Sequence, residues 1–461
     1  MRSEHSPRRR ILATALGAVL GIVAGVSAAT WSTAVAGQTS NEPQPILDAT
    51  HLPPLLTSGQ PLDLAYDVHC AASDEETADE GCAVRGSVFV RSIGDRAFSE
   101  LPLASRSVGG LRQLAALVPD TLTGKGRGVE YYAVVEAPEV GKRLLLPAGG
   151  PAAPHVSRPL GNAVTIDLGR HDFGGDRRAD ARVASAAWGE RPGQVGLEEG
   201  RNLTPIGGSS FDIDAQGNVL LLDQVHRRLL RWSRGDTPEQ VPVSVAGTLA
   251  DMAVAGDGSF YVLESTAPPG HNPLVKRFDD GGRELEAIES AERTPSQIRI
   301  DERGPVILGR PSHHWVPLVV GGVPASADKQ LARGRTGRQF GGGREMVVYR
   351  HADEVRVAVV AGQNVIRAWR VRSSTTLAEV QLVEPWGQRV VLVVRVYDGG
   401  ADEFVVLVLG RAGLVDRFAL ASADWAESAP LGRFRLVGRS LYRLGSSPSG
   451  VFIDRFDLEV R

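Results

Sequence analysis

An all-β chain is predicted, a small β-sandwich followed by a six-bladed β-propeller, and three observations predict it. Gly 53 and Pro 28 in 461 residues supply turns at a density that long helices do not tolerate. Apolar and polar residues alternate in short runs: Leu62, Leu64, Tyr66, Val68 and Cys70 against Asp63, Ala65, Asp67 and His69. That is the period of a strand with one buried face. After residue 206 a two-strand unit with a tight turn keeps returning, and its turn glycines Gly217, Gly258 and Gly304 lie 41 and 46 residues apart. Several strands per period of roughly 40–50 residues is the spacing of propeller blades.

Residues 1–36 read as an export signal. Arg8, Arg9 and Arg10 precede the uncharged apolar stretch Ile11 to Ala29, and Ala34-Val35-Ala36 offers a small-x-small cleavage site. Arg8-Arg9-Arg10-Ile11-Leu12 also resembles the twin-arginine export motif, although Pro7 and Ala13 depart from it. The same apolar stretch is long enough to span a bilayer, so an uncleaved membrane anchor through residues 11–29 stays open. Either way the folded part is expected to be extracytoplasmic.

Residues 37–54 are polar and read as a linker, and residues 55–148 as the sandwich. Cys70 and Cys82, the two cysteines, are expected to pair as a disulfide in an oxidising compartment. The acidic run Ser73 to Glu80 between them has oxygen ligands that suit Ca²⁺ but not the Gly-punctuated spacing of a calcium loop. The strand Val129 to Ala137 carries Tyr131-Tyr132 and ends before Pro138. This segment resembles the penultimate strand of bacterial immunoglobulin-like and fibronectin-type domains, which implies a two-sheet sandwich over about 100 residues. The Gly/Pro/Ala-rich stretch within 149–160 reads as a second linker, and 161–461 as the propeller.

The first blade starts with Phe211-Asp212-Ile213, turns through Asp214 and Gly217, and continues as Val219 to Asp223. Asp214 is placed to accept backbone N–H groups, and Gly217 to take positive φ. The unit around Met252–Glu264 repeats this, and so does Ile298–Leu308. With Asp214, Gly217, Asn218 and Asp223 in place, residues 206–232 resemble the NHL repeat family of propellers. Strand clusters after residue 340 give three further blades, hence six. The strand Ala163–Leu168 is expected to close the ring by pairing beside the C-terminal strands, because an open ring would leave long unpaired edges.

The composition excludes some functions. The net charge is −3, a poor match to nucleic acid. There is no Gly-x-Ser-x-Gly elbow and no phosphate loop of the Gly-x-x-x-x-Gly-Lys type. The histidines His171, His226, His271, His313, His314 and His351 share no blade position, against a zinc site. Residues near inner-strand starts are the candidates for the central channel: Asp212, Asp251, Gln297 and Glu345. Propellers resembling gluconolactonases hold a divalent metal with such carboxylates, which implies Asp212, Asp251 and Glu345 as ligands of an ion such as Ca²⁺. Arg333, Arg335, Arg338 and Arg344 crowd a Gly-rich stretch and are candidates for binding an anion. With no catalytic constellation in view, the expectation is a monomeric, non-enzymatic exported protein. Its propeller surface would meet a protein or a cell-surface polymer. The alternative is a metal-dependent lactonase-like hydrolase working at the channel.

Overall fold

The computed structural model describes residues 46–459, apart from 52, 55, 57–58, 72–81, 109–110, 160, 201–203, 234, 236, 247–248, 269–270, 311, 352–353, 363, 423–424 and 427–431. The expected signal, the possible anchor through residues 11–29 and the acidic loop lie outside the described residues. Among those described, no helix is long and apolar enough to cross a membrane.

The N-terminal part consists of two antiparallel sheets. One runs in the order Ile46–Thr50, Leu62–Ala71, Leu111–Val118, Ala104–Val108. The other runs Ser99–Pro102, Arg85–Ser92, Val129–Ala137, Lys142–Leu146, with His155–Ser157 also beside Val129–Ala137. The alternating residues meet between them: Leu64, Tyr66, Val88, Val90, Val118, Tyr131 and Val135 are fully buried. Both ends of this sandwich extend beyond the boundaries read from composition. Ile46–Thr50 lies in the expected 37–54 linker and His155–Ser157 in the expected 149–160 linker. Each supplies backbone partners to a sheet edge, a demand that composition does not register. Cys70 and Cys82 are joined, with Cα atoms 5.5 Å apart. Closing 12 residues in this way restricts the unfolded chain by about 2–3 kcal/mol.

Six blades follow. Blade I is Ser210–Ile213, Val219–Asp223, Arg228–Trp232 and Glu239–Pro242. Blade II is Ala250–Val254, Phe260–Glu264, Leu274–Phe278 and Glu284–Glu289. Blade III has three strands, Pro295–Asp301, Gly304–Gly309 and Trp315–Pro317. Blade IV is Arg344–His351, Glu354–Ala361 and Asn364–Arg372, with the short Arg338–Gln339 at its inner edge. Blade V is Thr376–Trp386, Arg389–Asp398, Ala401–Gly410 and Gly413–Ala421. Blade VI is Phe434–Val437, Ser440–Ser447 and Gly450–Asp457. The turn chemistry is as the sequence implies. Asp214 Oδ1 accepts the N–H groups of Gln216 and Asn218 at 2.9 and 2.8 Å, and Gly217 sits at φ 83°.

The ring closes differently from the expectation. Val164–Asp167 pairs in parallel with Asn364–Arg372, at the outer edge of blade IV. The strand that completes blade VI is the next one, Ala181–Ala187, antiparallel to Gly450–Asp457. Packing decides between them. Ile166 and Leu168 are large and fill the apolar layer between blades IV and V. Ala184 and Ala186 lie in the apolar layer shared by blades VI and I. An alanine-rich run has weak strand propensity, which hides it in the sequence.

Apolar layers join blades I and II through Leu220, Leu222, Met252 and Phe260, and blades II and III through Leu263, Val275, Ile298 and Ile307. Further layers join IV to V, V to VI, and VI to I. Among the described residues, no apolar cluster spans blades III and IV. That junction is where the candidate site lies.

Candidate functional site

A charged residue near the middle of an inner strand cannot reach water at the strand ends, so it needs partners across the channel. The inner strands supply six such residues, one per blade. Asp212, Asp251, Arg299, Arg338, Glu384 and Arg435 come from blades I to VI in turn. Arg435 Nη2 donates to Asp251 Oδ1 at 3.1 Å, and its Nε is 3.7 Å from Asp212 Oδ1. Arg299 Nη1 donates to Asp251 Oδ2 at 2.9 Å. Arg338 pairs with Glu384. Burial, then Arg435, lowers the Arg299 guanidinium to about 10, with Asp251 and Glu384 opposing that shift and Arg338 adding to it. Three arginines thus face three carboxylates, and the charges cancel. Asp212 is pushed up by burial, against the pull of Arg435.

Arg299, Arg338 and Glu384 also line a cavity of 290 Å³ between blades III, IV and V. Gln297, Arg310, His313 and Trp315 enter it from blade III, and Glu379 and Gln381 from blade V. Pro53 of the sandwich completes the lining. The volume is near the lower end for small-molecule sites, which start at about 300 Å³. Four backbone irregularities converge here. The inner strand of blade III shifts register between Pro295 and Gln297. The inner strand of blade V shifts twice, between Leu377 and Glu379 and between Val380 and Leu382. Among the described residues, the inner hairpins of the other four blades show no such shift. A bulge adds a residue and re-aims the side chains beside it. His313 completes the set with φ at 49°, a left-handed conformation that a non-glycine residue rarely takes.

Gln297 faces the cavity, as a channel residue should. Asp212 and Asp251 reach the channel but do not suit a cation. Asp251 is fully buried and accepts from Ser210 Oγ at 2.6 Å, Ile298 N at 2.9 Å and two arginines. Asp212 accepts the N–H groups of Ile213 and Val254 beside Arg435. Glu345 lies on a different strand pair, opposite Gln339 and Val360. Among the described residues, no three His, Cys, Asp or Glu side chains are gathered closely enough to hold a metal ion. Asp212 and Asp251 therefore do not fit a cation, because arginines take up the charge a metal would neutralise, and Glu345 is not gathered with them.

The four arginines also separate. Arg338 belongs to the channel, whereas Arg333 and Arg335 line a second concavity with Glu302, Arg303 and Gln339. Arg344 donates to Gly341 O at 2.8 Å and stacks on Phe340. They are not one anion site, because a Gly-rich segment turns several times within ten residues. Arg299, Arg310, Glu379, Glu384 and Arg435 were missed. A signal existed for two of them: Ile298-Arg299-Ile300 and Phe434-Arg435-Leu436 each place a charge inside an apolar strand.

No protein-family model matches the chain, and no curated protein matches it. Solved structures similar to it include the PQQ-bound aldose sugar dehydrogenase from Streptomyces coelicolor, at 12% identity and TM-score 0.33, covering 60% of this chain and 98% of that one. A streptogramin B lyase is similar at 10% identity and TM-score 0.32, covering 56% of this chain and 97% of the other. A luciferin-regenerating enzyme is similar at 11% and TM-score 0.32, covering 56% and 94%. At these scores the likeness carries no argument about chemistry. The expectation of a non-enzymatic binding or scaffold protein is nevertheless corrected. It stood on a lack of convergent chemistry, and the chain gathers Arg299, Arg310, Arg338, Glu379 and Glu384 in one cavity.

Proposed function

We propose that this chain is an extracytoplasmic enzyme that hydrolyses a small polar ester or lactone in the cavity between blades III, IV and V. The observation that supports it is the concentration, among the described residues, of bulged inner strands at that cavity, aiming Gln297, Glu379 and Gln381 into it. Glu379 is exposed and accepts from Gln381 Nε2 at 2.7 Å, so its carboxylate is oriented yet free to take a proton. It acts as general base: it draws a proton from water as the water oxygen bonds to the acyl carbon, and returns it to the departing alcohol oxygen. Arg310 supplies positive charge to the oxyanion that develops between those steps. Trp315 offers a flat apolar wall for the rest of the substrate. The ion pairs of Arg299 with Asp251 and of Arg338 with Glu384 form a rigid charged floor that needs no rearrangement during reaction.

The disulfide supports an oxidising compartment, and with it the exported reading of residues 1–36. In the same proposal the propeller is of the NHL type and the sandwich immunoglobulin-like. The test is turnover of an ester and lactone panel by the full chain, with and without added Ca²⁺ or Zn²⁺. Glu379→Gln should lose roughly 10²–10⁴-fold in kcat with KM little changed. A panel without turnover in any condition, or a Glu379→Gln variant as active as the parent, refutes the hydrolase reading.

A further inference from the structure

Hydrolysis in the cavity leaves unused a buried stack of imidazoles at the junction of sandwich and propeller. His51 follows the first strand of the sandwich. Its ring stacks on Tyr66 with centroids 4.4 Å apart and meets Tyr131 edge-on at 5.5 Å. His155 is 5.1 Å from His51 on one side and 4.5 Å from His314 on the other. His314 belongs to blade III, next to the cavity-lining His313. The stack therefore runs from the sandwich core to the propeller. His51 is satisfied as a neutral ring: Nδ1–H donates to Ala65 O at 2.7 Å, and Nε2 accepts from the Tyr131 hydroxyl at 2.8 Å. His155 is fully buried, and among the described residues neither of its ring nitrogens has a hydrogen-bond partner.

The groups facing the stack offer a proton no counter-charge. Tyr66 and Tyr131 come from the sandwich sheets, Tyr349 from blade IV, and His313 from the loop before Trp315. Arg335 faces His314, while Arg158 and Glu345 act on Tyr349 at the edge of the cluster. Among the described residues, no carboxylate is paired with any of the three rings. Besides a backbone hydrogen bond of Arg158 to Tyr349, three long bonds cross the junction, and none titrates near neutrality. Val156 N donates to Thr336 Oγ1 at 3.3 Å, the Tyr349 hydroxyl to Val156 O at 3.4 Å, and Arg158 Nη2 to Gly362 O at 3.5 Å.

We propose that the His51–His155–His314 stack is an acid-released latch that holds the sandwich, and with it Pro53, against the cavity. Desolvation first, and neighbouring positive or titratable groups after it, lower His51 to about 4 and His314 to about 3, and hold His155 well below its ordinary value. A histidine whose pKa is depressed in the docked state stabilises docking fully above the free value of about 6.5. That contribution is lost as pH falls from there toward the docked value. Inside that window a histidine freed on release shifts the docked-to-released ratio by up to about tenfold per pH unit, so His155 and His314, which meet across the junction, together shift it by up to about 10².

The latch governs access to the cavity and rests on the hydrolase reading only for its purpose. Its test reads shape, so the two can fail separately. X-ray scattering of the full chain from about pH 7.5 to about pH 4, the window set by the free and docked values, should show a reversible rise in radius of gyration. Far-ultraviolet circular dichroism recorded alongside should show the strand signal persisting through that rise. His155→Phe keeps an aromatic ring and removes the titration, so its transition should move to lower pH. Should that variant not fold, His314→Gln takes its place with the same expectation. A radius that stays constant until the strand signal collapses overturns the latch, as do folded variants that expand at the same pH as the parent.

Discussion

Removing the carboxylate of Asp251 probes the charge ring most directly. Asp251 is fully buried and holds Arg299 and Arg435 at 2.9 and 3.1 Å, together with Ser210 Oγ and Ile298 N. Asp251→Asn keeps the shape and leaves the ring's three guanidiniums facing two carboxylates instead of three. Breaking a buried pair from one side costs about 3–5 kcal/mol, because the remaining charge is left uncompensated. Against a total stability of roughly 5–15 kcal/mol, that is a large fraction. The measurement is the urea midpoint of the Asp251→Asn chain against the parent, followed by tryptophan fluorescence. Asp212→Asn is the internal control: Asp212 is only partly buried and 3.7 Å from Arg435, so it should cost about 1 kcal/mol. Replacing Asp251 and Arg299 together by leucine and methionine should recover much of the loss, since both halves of a buried pair then leave at once. If Asp251→Asn falls within about 1 kcal/mol of the parent, or costs no more than Asp212→Asn, the ring does not hold the blades as argued.

Two other perturbations act at single sites. Gly450 pairs with Ala187 in the closing sheet, and a Cβ there would run into the carbonyl of Ala186. Gly450→Ala should therefore push the clasp off blade VI and raise the rate of limited proteolysis around Ala181–Ala187; an unchanged digestion pattern would count against that strand as the closure. Glu292 is buried, and desolvation raises it to about 7 while Ser312 pulls the other way. Because the folded value lies above the unfolded 4.5, its contribution is present below pH 4.5 and fades as pH rises through 7. At about 1.4 kcal/mol per unit this amounts to ~3 kcal/mol, so Glu292→Gln should match the parent in acid and exceed it above neutrality. Parallel stability curves for the two chains would contradict the assignment.

Sequence alone determined the local structure and its recurrence: the alternation in Leu62–Ala71, the turns built on Asp214 and Gly217, the 41- and 46-residue period and the pairing of two cysteines. Those features depend on neighbours in the chain, where a two-residue period or a positive φ leaves its mark on residue type. Folding in space decided the rest. Ala181–Ala187 rather than Ala163–Leu168 closes the ring, and the two strands bury their apolar residues in different inter-blade layers. The charge ring draws on residues from Asp212 to Arg435, and the histidine stack on residues from His51 to His314. Neither has a spacing to read, since partners far apart in the chain are chosen by the closure of the ring and the docking of the sandwich. The same closure gave Asp212 and Asp251 arginines as partners, where the sequence had suggested a metal.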